Sequence, residues 1–426
     1  MRLAAPPLTS APWMPPRRAA LRQVLAQRRW LRWLALFPLV AATYLSKFSV
    51  PPFGAMGLAI AIPLVFGAAL VGFAAGAMQL QLRRALAFAL MLATLLTLQV
   101  LAADGFSPGS LALLVVIYLP YAVQLSRAER PQDDVLPFFL QTALVIGLLG
   151  IAQYVLQFAL GPALAFPIEN LVPAQLTMSK YNSQAVLHYG SDELRANGVF
   201  MIEPSVFSQL MAVALIAELA TKRRLAWMAA FAAAILVSYS GTGIMLLAAC
   251  LLFEGVARQR WALLLGALLF GALVLGIGLW AEVPMVTNIV GRSTEFGSAG
   301  SSASMRFVGG FSLFEKLLWP DLFRAFFGFG AGSLVEYAAK SPLPLADMLL
   351  FKVVFEYGIV GACAYFGFLG YCIFVGVPVP KVIRVAVFMA IVLGGMYTPF
   401  GHFLAFGLLL WRRPPAKTSP TGLAHG

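Results

Sequence analysis

From residue 33 to residue 411 the chain is a succession of apolar runs separated by short polar or basic gaps. The runs fall at roughly 33–47, 55–77, 85–103, 109–125, 136–160, 199–220, 225–239, 242–255, 261–282, 345–375, 385–398 and 401–411. A helix needs about 20 apolar residues, within a range of about 17–25, to cross the hydrocarbon core of a bilayer. Only 11% of the residues are charged, against about 25% in soluble domains. Length and charge together predict an all-α polytopic membrane protein of about 12 transmembrane helices.

The basic residues punctuate the gaps, as topology signals do. With the Arg-rich N-terminus placed in the cytoplasm and the runs alternating, more than two thirds of the 30 Lys and Arg residues fall on the inside. Joining either of the two doubtful pairs of runs, broken by "SYSGTG" and "YTPFGH", moves later basic clusters to the wrong side. The reading is therefore an even number of spans with both termini cytoplasmic. A basic tail (1–32) precedes an N-terminal bundle (33–160), a loop (161–198) and central helices (199–282). A large loop (283–343), C-terminal helices (344–413) and a short tail (414–426) complete the chain. Both long loops are external, and loops of this length in a compact domain are functional or disordered.

Several functional classes lack support. The net charge of +13 is spread between runs and does not form a basic stripe interleaved with aromatics, so nucleic acid is not an expected partner. Cys250, Cys363 and Cys372 lie singly in apolar runs and form neither a disulfide framework nor a zinc pattern. The proline-rich, basic N-terminus lacks the layout of a signal peptide. No HExxH, P-loop or acidic DxD pair occurs, so no metal and no cofactor is expected.

One stretch concentrates polar residues beside an apolar run: "RANGVFMIEPSVFSQ", Arg195 to Gln209. Charge at such a position is by default a functional-site hypothesis. Pro204 suits the first turn of a helix, which puts Glu203 at the cap and leaves residues 199–202 as non-helical backbone lining a cavity. Ser205, Ser208 and Gln209 share one helix face. A plain cap with a local Arg195–Glu203 ion pair is the simpler alternative. "SYSGTG" and "YTPFGHF" fall on the same external side, the second bringing His402 there. Arg292, Arg306 and Arg324 make the large loop cationic, and arginine's planar fork suits phosphate. "GFGAGS" (328–333) has the composition of a backbone anion nest. Lys352 and Glu356 are spaced to neutralise one another on one helix face.

The order Arg–x–x–Gly–x–Phe–x–x–Glu-Pro-Ser, then Ser-x-Ser-Gly-Thr-Gly, then a long loop ending in "GFGAGS", then "FEYGIVG" resembles the bacterial O-antigen polymerase and O-antigen ligase superfamily, exopolysaccharide polymerases included. The similarity covers roughly 140–375. It implies a GT-C-type, metal-independent glycosyltransferase with two long periplasmic loops, in the bacterial inner membrane. Its donor would be an undecaprenyl-diphosphate-linked oligosaccharide, and a chain-length regulator is a further partner. Polymerisation of repeat units is the expected activity. A ligase acting on lipid A core and a transporter or flippase of lipid-linked sugars are the alternatives. By the resemblance, Arg195 and either Arg292 or Arg306 would bind the diphosphate. Glu203 is the expected catalytic base, with His402 and His188 behind it.

Overall fold

The structure is a computed structural model describing residues 17–51, 58–102, 105, 107–126, 132–178, 181–187, 191–259, 261–282, 286–287, 290, 304–340, 345 and 348–411. Its helices are α1 (Arg17–Tyr44), α2 (Ala61–Ala74), α3 (Leu82–Ala102), α4 (Pro108–Tyr118), α5 (Gln132–Leu160), α6 (Pro162–Ala165) and α7 (Pro167–Leu171). There follow α8 (Pro204–Ala220), α9 (Leu225–Val237), α10 (Gly241–Ala257) and α11 (Trp261–Trp280). In the C-terminal part come α12 (304–318), α13 (Leu322–Phe327), α14 (Ser333–Lys340), α15 (Leu349–Phe374), α16 (Lys381–Val392) and α17 (Pro399–Ala405). Strands β1 (Met78–Leu80) and β2 (Val123–Leu125) pair antiparallel, with Gln79 opposite Gln124.

The core is organised around α8. Beyond Ser205, Ser208 and Gln209 in its first turns its sequence is apolar on every side as far as Glu218, and such a helix is buried on every side. Every residue from Val206 to Glu218 is buried, enclosed by α5, α9, α10 and α16. α10 crosses α8 at Gly243, where an added Cβ would come within 2.5 Å of the Ser208 carbonyl oxygen. Close approach of two helix backbones requires the missing side chain.

Helix α15 is broken at Gly358, whose φ of 63° and ψ of −170° interrupt the ladder. The carbonyls of Phe355 and Glu356, which would have bonded one turn on, accept instead from the N–H groups of Phe329 (3.0 Å) and Gly330 (2.9 Å). Backbone groups released inside a protein must find such partners. The Ala331 N–H is likewise taken, by Gln99 Oε1 at 2.6 Å. The expected anion nest at "GFGAGS" therefore does not form: its N–H groups hold the break in α15. Lys352 and Glu356 pair beside that break at 2.7 Å.

The expectation of twelve crossings is overturned. Among the described residues three helical stretches are long and apolar enough to cross a membrane, Leu82–Leu101, Asp134–Leu160 and Leu349–Phe374. Helices occupy most of the other apolar runs, and several of them are too short. α8 and α10 have 17 residues each and α9 has 13, against the roughly 20 needed. The physical reason is that an apolar run is not a helix: turn residues such as those at 198–203 and 238–240 consume part of each run. The two supposed long loops also contain helices, α6 and α7 in the first and α12 to α14 in the second. The GT-C architecture, the multi-pass inner-membrane topology and the placing of both termini in the cytoplasm lose their basis with the span count.

Candidate anion-binding site

The chain enters α8 through extended and turn backbone at 198–203. Glu203 stands at the N-cap in an extended conformation, yet its side chain does not cap the helix. Oε2 accepts from the Ser205 hydroxyl at 2.9 Å and from Arg306 Nη2 at 3.3 Å, while Oε1 accepts from the Asn182 N–H at 3.3 Å. Arg306, from the first turn of α12, also donates to Ser205 Oγ at 3.1 Å. The Arg306 and Glu203 side chains are 17% and 19% exposed, so the pair is shielded yet reachable.

A second helix begins at the same place. Thr242 Oγ1, in the first turn of α10, donates to the Ser205 carbonyl at 3.1 Å, and Ser208 Oγ donates to the Ser240 carbonyl at 3.2 Å. These two bonds set the N-termini of α8 and α10 side by side, and each N-terminus carries roughly half a positive charge. Ser240 stands at the N-cap of α10 without donating its side chain to that role; its hydroxyl lies 2.9 Å from Thr242 Oγ1. Among the described residues, the Glu203 carboxylate thus meets the Arg306 guanidinium at the N-terminus of α8, with the start of α10 bonded alongside.

Of the residues singled out in the sequence, the structure joins Glu203 and Arg306. Arg195 directly follows the antiparallel Val186–Leu194 bridge, and its guanidinium donates to the Leu187 carbonyl at 3.1 Å. Arg292 and His188 lie outside the described residues. His402 is 1% exposed in α17. Its Nδ1 accepts from the Tyr121 hydroxyl at 2.7 Å, and Nε2 lies 3.2 Å from the Met396 carbonyl. The Tyr118 hydroxyl is 3.4 Å from Nε2 and is itself bonded to Tyr365. Burial pushes the His402 imidazole down to about 4, so at neutral pH it is uncharged. Its partners are structural groups and not Glu203 or Arg306.

Sequence reasoning missed the scaffold behind the mouth of α8. Gln153 and Gln157, one turn apart on α5, each bond residues 194–197 as a neighbouring strand would. Gln157 accepts from the Leu194 N–H (2.8 Å) and donates to its carbonyl (3.0 Å). Gln153 accepts from the Asn197 N–H (3.0 Å) and donates to its side-chain oxygen (3.1 Å). Asn197 also donates to Glu169 at 2.7 Å, and Glu169 accepts from Lys47 at 2.6 Å. The available signal was the pair of glutamines at i and i+4 inside an apolar run, which marks one polar helix face.

No family model, curated protein or solved structure matches this chain. The resemblance to O-antigen polymerases and ligases is therefore withdrawn, since it rested on loose motifs whose structural context differs from the one expected. With it go polymerase, ligase and flippase activity, the glycosyltransferase chemistry, and the undecaprenyl-diphosphate, bilayer and chain-length-regulator partners. None of these stands without the many-span fold. Among the described residues no group of three or more His, Cys, Asp or Glu side chains could hold a metal ion.

Proposed function

We propose that the mouth of α8 binds a phosphate-class anion, with Arg306 as its principal ligand and Glu203 as an internal counter-ion that the anion displaces. The observation carrying this reading is the Arg306–Glu203–Ser205 cluster at the joint N-termini of α8 and α10. A partly exposed ion pair is worth about 0–1 kcal/mol, so Glu203 is a weak holder of the guanidinium. An oxyanion carrying more charge and more acceptor atoms gains from the same arginine fork and from the helix ends without the strain of sharing a carboxylate. Ser205 Oγ, bonded to both charged groups, is placed to donate to the incoming oxygen once Glu203 has moved away.

The test is an equilibrium titration of purified protein with inorganic phosphate and inorganic diphosphate at low ionic strength, with Arg306→Ala alongside. Saturable binding that weakens at least tenfold in the variant, and with rising salt, supports the site. Equal affinity in both proteins sinks it.

A further inference from the structure

The residues leading into α8 hold a backbone conformation that their own sequence disfavours. Val199 has a φ of 67° and follows Gly198 at 68°. Glycine visits this left-handed region freely, but for a β-branched residue it is a genuine outlier. Such strain persists only where surrounding structure over-determines it, and it collects at functional sites.

Three chain segments do the over-determining. The Val199 N–H donates to Asn197 Oδ1 at 3.0 Å, and the Phe200 N–H to the Gly198 carbonyl at 2.8 Å. From the other side Lys47 Nζ donates to the Val199 carbonyl at 2.5 Å while bonding Glu169 Oε1 at 2.6 Å. Ser46, its neighbour, lies 3.5 Å from the Phe200 carbonyl. The 46–49 segment is in turn fixed by backbone bonds, Met178 N–H to the Lys47 carbonyl and Ser49 N–H to the Leu176 carbonyl, both at 3.0 Å. Lys47 is 2% exposed, and an ammonium is buried at such cost only when paired. The same Glu169 oxygen accepts from Asn197, so one carboxylate joins the lysine to the turn it clamps.

We infer that Lys47 is a positioning residue: by holding the Val199 carbonyl it keeps the left-handed turn that aims Glu203 and the first turn of α8 at Arg306. This assignment rests on the proposed anion site for its purpose but not for its geometry. Neutralising the pair as Lys47→Met with Glu169→Gln avoids leaving a lone buried charge. It removes the clamp while keeping the amide contact to Asn197. Val199→Gly then removes the strain that the clamp opposes.

The experiment is hydrogen exchange, followed by mass spectrometry, on the full chain with no anion added, paired with a phosphate titration of each protein. In the double variant, amides at 198–207 are expected to exchange roughly tenfold faster or more, while those of α15 keep their protection. Adding Val199→Gly is expected to restore most of the lost protection, a rescue that a general packing defect would not show. Unchanged exchange at 198–207 in the double variant overturns the inference, and so does a triple variant no better protected than the double. If the double variant does not fold, the triple variant must; its failure would overturn the inference equally. Should the wild type not bind phosphate while the exchange pattern holds, the anion site fails and the positioning role stands.

Discussion

Replacing His402 by glutamine isolates a pH dependence that the fold imposes. The imidazole is held neutral among Tyr118, Tyr121 and the Met396 carbonyl, with its pKa pushed from the ordinary 6.5 down to about 4. The unfolded chain binds a proton at this residue below about pH 6.5, and the folded chain does so only below about pH 4. Between those values the unfolded state holds more protons, so stability falls as the pH falls. From about pH 7 to about pH 4.5 the loss attributable to His402 is on the order of 2 kcal/mol, at about 1.4 kcal/mol per unit across the window. Glutamine keeps a donor for the Met396 carbonyl and does not titrate. Urea unfolding of wild type and His402→Gln at both pH values, read by tryptophan fluorescence, gives the difference of differences and cancels the carboxylates common to both. The variant is expected to lose on the order of 2 kcal/mol less than the wild type on acidification. Equal losses in the two proteins would refute a buried neutral imidazole, and a wild type that gains stability on acidification would reverse its sign.

At the far end of α8, Glu218 accepts from the Arg224 N–H, Nε and Nη2, and these bonds hold its carboxyl below the usual carboxylate range. Its contribution is present at neutral pH and fades as the pH falls below about 4.5; Glu218→Gln costs about 2 kcal/mol at neutral pH by urea midpoint, with the deficit shrinking in acid. Gly243→Ala forces a Cβ to within 2.5 Å of the Ser208 carbonyl oxygen. The expected cost is about 1–3 kcal/mol; adding Ser208→Ala removes the nearest obstructing atom, the Ser208 hydroxyl oxygen, and recovers part of it, but the Ser208 carbonyl still obstructs, so full recovery would refute the close crossing. Gly358→Ala meets both a left-handed φ of 63° and the Phe327 nitrogen at 2.5 Å. Faster hydrogen exchange at 328–332 is its expected signature, and unchanged protection there would mean the loop does not depend on the break.

Local chemistry was legible in the sequence where a residue acts on its own neighbourhood. Pro204 does begin a helix, residues 199–203 are non-helical, and Lys352 pairs with Glu356. The partnership of Glu203 with Arg306 was readable only as two separate hints, because 103 positions separate them along the chain. The span count failed for a physical reason: hydropathy measures how apolar a run is, not where turns divide it. The run near residues 199–220 looks long enough to cross and that near 225–239 is already short, and Val199 and Tyr239, both at positive φ, spend part of each on a turn. The glycine-rich "GFGAGS" misled similarly. Its donors serve carbonyls freed by Gly358, and nothing within the loop's own sequence shows that demand. The Lys47–Glu169–Asn197 network was invisible because its members come from three distant segments, each of which reads as an ordinary loop or helix end.

The central claim is that Glu203 competes with an anion for Arg306, and a double-mutant cycle in phosphate affinity tests it most directly. Glu203→Gln is expected to tighten inorganic phosphate binding by about fivefold, the equivalent of roughly 1 kcal/mol. In the Arg306→Ala background the same substitution should change little, since the arginine being contested is gone. An equal effect in both backgrounds, or no effect in either, would contradict the displaced counter-ion and with it the site.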